Sequence, residues 1–261
     1  MPKRTQNRYS RSTLGDHALI AAKSRMLKRN LMFLALTAGT TAILALCSKA
    51  HAAGGAYVVD DGAINAPREC NVDVWHQSAR HKGSNHASVI ASACTFSQLP
   101  WVQLGAALQR QHADDHGETQ VNPQVKAQLL NREDLGLQLA LAGSAHWARH
   151  RAHSFDGADL SLPLTFNATD NLRLNLNVGW AHAYDDGKQN HRSTWGIASE
   201  YDLTQHLTLI AERYGEQGGE QGWQAGPRLH IGQHLDLDLI AGQCLTKGCD
   251  RLLTTGATFR F

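Results

Sequence analysis

Over residues 251–261, RLLTTGATFRF, side chains alternate in character: Leu253, Thr255, Ala257, Phe259 and Phe261 share one face, and Thr254, Gly256, Thr258 and Arg260 share the other. A period of two is the signature of an extended strand. The same rhythm recurs upstream. Leu172, Leu174, Leu176, Val178 and Trp180 oppose Arg173, Asn175 and Asn177. Val121, Val125, Ala127 and Leu129 alternate with Gln120, Asn122, Gln124, Lys126 and Gln128, and Leu135, Leu137, Leu139 and Leu141 with Gly136, Gln138 and Ala140. Trp223, Ala225, Pro227, Leu229 and Ile231 oppose Gln224, Arg228 and His230. The pattern predicts twelve strands, near 69–78, 86–96, 101–112, 119–129, 135–147, 157–166, 171–182, 191–201, 206–214, 222–231, 235–243 and 251–261.

Runs of roughly nine to twelve residues match a tilted strand that crosses a bilayer. In hydrocarbon a sheet edge cannot stay unpaired, so the last strand must close on the first. The predicted fold is therefore all-β, an antiparallel transmembrane β-barrel of about 12 strands spanning residues 69–261. A soluble lipocalin-like barrel would show the same alternation with its aliphatic row turned inward. Three features favour the membrane form. One row is rich in Lys, Arg, Glu, Asp, Asn and Gln; Trp147, Trp180, Trp195, Tyr201 and Trp223 fall toward strand ends, where an interfacial belt belongs; and the sequence ends on Phe. Phe259 and Phe261 are expected to act as the assembly signal read by the outer-membrane assembly machinery. Short connections at 97–100, 130–134, 167–170, 202–205 and 232–234 alternate with longer polar ones at 79–85, 113–118, 148–156, 183–190, 215–221 and 244–250. That predicts tight periplasmic turns and longer external loops, with both ends of the barrel in the periplasm.

Residues 1–52 read as an N-terminal extension and a cleaved signal peptide. Met26, Lys28 and Arg29 precede a long apolar run that ends at Ala50-His51-Ala52, so Met26 is the expected true start. Leu46 before Cys47 does not fit a lipid-attachment site. Removing this segment leaves 16 Lys and Arg against 22 Asp and Glu, a formal charge of −6, so nucleic acid is not an expected partner. Residues 53–68, with Gly, Pro and a short apolar stretch, read as a periplasmic lead-in beside or docked in the barrel mouth. Asp60 and Asp61 within it read as a solvated turn. The expected location is the bacterial outer membrane.

Four cysteines remain after cleavage, an even number in an exported protein. With the first hairpin centred near Lys82, Cys70 stands opposite Cys94, and Cys244 and Cys249 flank the last hairpin loop, so two disulfides are expected. His146, His150 and His153 have helical ligand spacing but straddle a strand end, and His112 and His116 read as a solvated rim. No metal or cofactor is expected.

The segment AYVVDDGAI, followed by ECNVDVWHQS and twelve strands, resembles the outer-membrane β-barrel family of phenol meta-pathway transporters, the local motif being Val58-Val59-Asp60-Asp61-Gly62. The resemblance implies passage of small organic solutes and supplies no catalytic residues. His76-Gln77-Ser78 has the spacing of the catalytic pair in outer-membrane phospholipases, another twelve-stranded group, but Ala79 and Arg80 replace the Asn and Gly that follow there. The function expected is a mainly passive channel, with a plugged structural or adhesive barrel as the alternative and a phospholipase-like hydrolase after it. The strand phase places Lys126, Arg173, Glu200, Glu212, Arg228, Asp236, Asp238 and Arg260 in the lumen. Their signs balance, so a hydrated inner wall with little ion selectivity is expected. The expected partners are outer-membrane lipid and small organic solutes.

Overall fold

In a computed structural model describing residues 56–80, 84–113, 116–149, 154–185, 188–246 and 251–261, the alternating runs form twelve strands. These are β1 (Cys70–Arg80), β2 (Ser84–Thr95), β3 (Val102–Ala113), β4 (His116–Arg132), β5 (Leu137–Arg149), β6 (Phe155–Asn167), β7 (Leu172–Asp185), β8 (Lys188–Thr204), β9 (Leu207–Glu216), β10 (Gln221–Ile231), β11 (Leu235–Cys244) and β12 (Arg251–Arg260). Each strand pairs antiparallel with the next, and β12 pairs with β1, so the sheet is a closed barrel. Closure reaches the last residue: Cys70 and Phe261 exchange backbone hydrogen bonds of 2.9 Å in both directions. Among the described residues no helix is long and apolar enough to cross a membrane, and the strands do the crossing.

Both ends of the barrel lie on one rim, here the terminal rim; the opposite one is the far rim. The predicted difference in loop length is not observed. Two to six residues separate successive strands on either rim, because polar stretches assigned to external loops continue the ladders instead. β4 and β8 reach 17 residues in this way. An antiparallel ladder propagates through polar residues as long as backbone partners continue, so hydropathy alone ended the strands too early. Leu135 and Gly136 also leave the predicted strand: Leu135 closes a short 3-10 turn, and Gly136, at φ 62°, takes the left-handed conformation that lets β5 start.

The sign of the alternation is that of a membrane barrel. Val178 is 60% exposed and Phe261 61%, whereas Arg228 on the opposite row is 2% exposed. Outward Trp147, Trp180, Trp195 and Trp223 occupy the far half, and Trp101, Phe166, Tyr201, Phe259 and Phe261 the terminal half, giving two aromatic girdles around an aliphatic band. Cys70 and Cys94 face each other across β1 and β2 and form a disulfide, with Cα atoms 4.1 Å apart. Because Cys70 spends its backbone bonds on Phe261, its pairing with Cys94 is the close, non-hydrogen-bonded kind that a cross-strand disulfide requires. Cys244 is also disulfide-bonded, and Cys249 lies outside the described residues.

Candidate functional site

All eight charged residues expected in the lumen are on the inward row, and they are paired rather than free. Arg228 on β10 grips Asp238 on β11 through two bonds, Nε to Oδ1 at 2.8 Å and Nη2 to Oδ2 at 3.0 Å. The two residues are opposite one another in register, so the planar fork meets the carboxylate edge-on. Arg173 lies 3.4 Å from Glu200, its register partner across β7 and β8. Asp236 accepts from Arg260 Nη2 at 2.6 Å and lies 2.7 Å from His230 Nδ1.

Lys126 and Glu212 instead bind a part of the chain that belongs to no strand. Residues 56–65 run inside the barrel, which places this part of the lead-in within the lumen. The Glu212 carboxylate accepts from the backbone N–H of Val58 at 2.8 Å and of Val59 at 3.0 Å, and from Gln224 Nε2 at 2.7 Å. Gln224 also donates to the Ala56 carbonyl at 3.1 Å. Tyr57 lies under the Arg228 guanidinium, 5.3 Å from ring centroid to Cζ. Burial pushes the Tyr57 phenol well above its ordinary value.

Asp60 and Asp61, expected to form a solvated turn, share the Lys126 ammonium at 2.9 and 3.0 Å, and the Asp61 side chain is only 5% exposed. Burial pushes the Asp60 carboxyl upward against the opposing pull of Lys126. With its amide oriented to satisfy both groups, Asn177 donates to the Asp60 carbonyl at 2.8 Å and accepts from the Asp60 N–H at 2.9 Å, as an added strand would. Gly62 ends the tight part: its N–H donates to Thr165 Oγ1 at 2.8 Å, and its carbonyl accepts from Gln128 Nε2 at 2.7 Å. A Cβ there would sit 2.3 Å from the Gln138 carbonyl oxygen, so only glycine brings this backbone so close to the wall. The motif Val58-Val59-Asp60-Asp61-Gly62 is thus the internal anchor. Main-chain polar groups brought into the barrel need partners, and inward Glu, Asn, Gln and Thr supply them to Ala56, Val58, Val59, Asp60 and Gly62.

Between the segment and the inner face of β12 and β1 to β6 lies a cavity of about 420 Å³. Asp60, Asp61, Asp73, Asp159, Lys126 and Arg260 carry the charges that line it, four acids against two bases. Trp75 lines it as well and packs against inward-facing Val89, Ala91 and Ala107, which form an apolar patch. Sequence reasoning did not single out Asp73, Asp159, Trp75 or the anchoring residues of the segment. The strand alternation assigns the first three to the inward row, but the partners of the segment leave no local trace.

The residues considered for chemistry do not converge. His76 and Ser78 both face outward; His76 Nδ1 lies 2.9 Å from Ser88 Oγ on β2, and Ser78 stands opposite His86. His146 points into the lumen against Asp159, while His150 and His153 lie outside the described residues, as does the His116 side chain. Among the described residues no group of three His, Cys, Asp or Glu side chains could hold a metal ion.

A closed ring of twelve antiparallel strands, apolar outside and polar within, is the architecture of bacterial outer-membrane barrels, and solved channels of that class share it. The COG4313 outer membrane channel from Pseudomonas putida F1 superposes with a TM-score of 0.60 at 8% identity, covering 80% of this chain and 100% of that one. The KdgM porin gives 0.57 at 10% identity over 73% and 99% of the two chains. The NanC porin gives 0.54 at 10% over 73% and 98%. No curated protein matches the sequence. Residues 42–261 match the family described as "Uncharacterised conserved protein UCP029691", and the chain belongs to that family.

Proposed function

We propose that the protein is an outer-membrane channel for small organic solutes, mainly passive, in which the internal segment narrows the lumen to a one-sided path. The observation that carries this reading is the cavity of about 420 Å³ between that segment and the inner face of β12 and β1 to β6, a volume suited to a small organic molecule. Its lining combines the apolar surface around Trp75 with neutral polar groups such as Gln103, Gln124 and Ser161, and an excess of carboxylates. That wall favours neutral or weakly cationic solutes over anions, a tilt that the balanced signs of the sequence did not foreshadow. The similarity of residues 58–62 to the phenol meta-pathway transporters supports small organic solutes.

The paired charges of Arg228, Arg173 and Arg260 support the second reading, a barrel whose lumen is sealed and whose role is structural or adhesive. Liposome swelling with uncharged solutes of graded size, run beside single-channel recording in salt gradients, separates the two. Swelling with modest cation preference supports the channel. No swelling and no conductance favours the sealed barrel. Lipid hydrolysis abolished by Ser78→Ala would move the assignment to an enzyme.

A further inference from the structure

The outer surface is segregated by charge in a way that neither a pore nor a plug requires. Every described Asp and Glu side chain within the strands belongs to the inward row, as Asp73, Glu118, Asp159 and Glu212 illustrate. The outward row nevertheless carries arginines on the far half, Arg110, Arg149, Arg213 and Arg251. At the terminal rim, outward Arg132 is bound by Asp134 at 2.7 and 2.8 Å, so among the described residues the arginine row without a carboxylate on its own face is confined to the far side.

The row is densest over β1 to β5. The rings of His76 and His86 are 5.8 Å apart, and those of His86 and His112 are 5.0 Å apart, forming a continuous ladder across three strands. Arg110 lies two residues before His112 on the same face, opposite Ser88 on one side and Thr119 on the other, and Thr119 in turn faces Arg149. Directly below, toward mid-barrel on these strands, Val74, Ile90, Leu108 and Val121 are each about half exposed. A cationic side chain facing lipid is costly at the bilayer midplane and nearly free near the interface, so this row marks the headgroup level. No described strand carboxylate shares the face, and phosphates at the membrane surface offer a matching counter-charge.

We propose that the outer face of β1 to β5 at the far rim binds a phosphorylated, acylated lipid of the outer leaflet. Arg110 and Arg149 take the headgroup phosphates, because a guanidinium fork matches a phosphate edge with two parallel donors. The histidine ladder adds donors beside them, and Val74, Ile90 and Leu108 pack against acyl chains. An even number of strands puts both ends of a bacterial outer-membrane barrel in the periplasm, so the far rim is assigned to the outer leaflet. The assignment does not depend on whether the lumen conducts.

The test uses native mass spectrometry of the mature barrel refolded in mild detergent, with bis-phosphorylated lipid A, the same lipid after dephosphorylation, and inorganic phosphate as competitor. Expected are stable adducts with lipid A, binding weaker by about tenfold or more for the dephosphorylated lipid, and no displacement by millimolar phosphate. R110Q/R149Q weakens lipid A binding by a similar factor. R213Q, whose guanidinium lies over Trp195 on β8, leaves it unchanged. Heat-modifiable migration in both variants separates loss of binding from loss of fold. Equal binding of the dephosphorylated lipid, wild-type binding by R110Q/R149Q, or displacement by inorganic phosphate would each overturn the assignment.

Discussion

Replacing Lys126 with Met tests whether the internal segment controls the lumen, because the substitution keeps the bulk of the side chain and removes only its charge and donors. The ammonium holds Asp60 at 2.9 Å and Asp61 at 3.0 Å, with 12% of the lysine side chain exposed. Charge-assisted bonds contribute about 1.5–3 kcal/mol each in net terms, and removing one partner of a buried pair costs about 3–5 kcal/mol because the other charge is left unmatched. Asp60 is 30% exposed and partly relieved by water, so the low end, about 3 kcal/mol, is the appropriate figure. That corresponds to roughly 150-fold in the ratio of docked to released segment. Glu212 still holds Val58 and Val59, and Thr165 still holds Gly62, so release is partial and intermittent. In planar bilayers K126M should show more frequent and longer high-conductance openings than wild type, with faster liposome swelling by the larger solutes, while K126R stays close to wild type. The strand ladder is untouched, so heat-modifiable migration should be unchanged. Identical conductance histograms for K126M and wild type would refute the reasoning, for they would mean that the segment neither limits the path nor depends on this anchor.

Gly62→Ala should produce the same open-state shift by a steric route, because its Cβ would meet the Gln138 carbonyl at 2.3 Å and displace the segment; single-channel recording checks it. Asp73→Asn with Asp159→Asn removes two of the four acids on the cavity wall and should lower the cation preference, read as a reversal potential in a salt gradient closer to zero. Deleting Phe261 removes both backbone bonds to Cys70 and a lipid-facing ring, together roughly 3–5 kcal/mol at the closing seam; the yield of heat-modifiable barrel in outer-membrane fractions should fall. Replacing Cys70 and Cys94 with Ser opens a crosslink between positions 24 residues apart, a loss of about 3 kcal/mol in the chain-entropy model, visible as a lower urea midpoint in vesicles.

The sequence by itself determined the strands, their number and which row of each faces inward, since alternation is a property of residues two apart and needs no knowledge of the rest of the chain. It also determined the pairing of Cys70 with Cys94, because a hairpin's register is counted outward from its turn. The lipid-facing sign followed from charges that no hydrocarbon face could hold, and the inward position of Lys126, Arg228 and Glu212 came with it. Only the tertiary structure decided what those charges do. Arg228 finds Asp238 ten residues away on the adjoining strand, but Lys126 finds Asp60 and Asp61, which are 66 and 65 residues away. Residues 56–65 have no period to read, and their partners come from strands as far apart in sequence as β1 and β10. Inside a closed barrel, contacts form across the lumen between elements that are not neighbours in the sheet. The path of the segment, the burial of Asp61 and the side on which the cavity opens are therefore set by the ring as a whole.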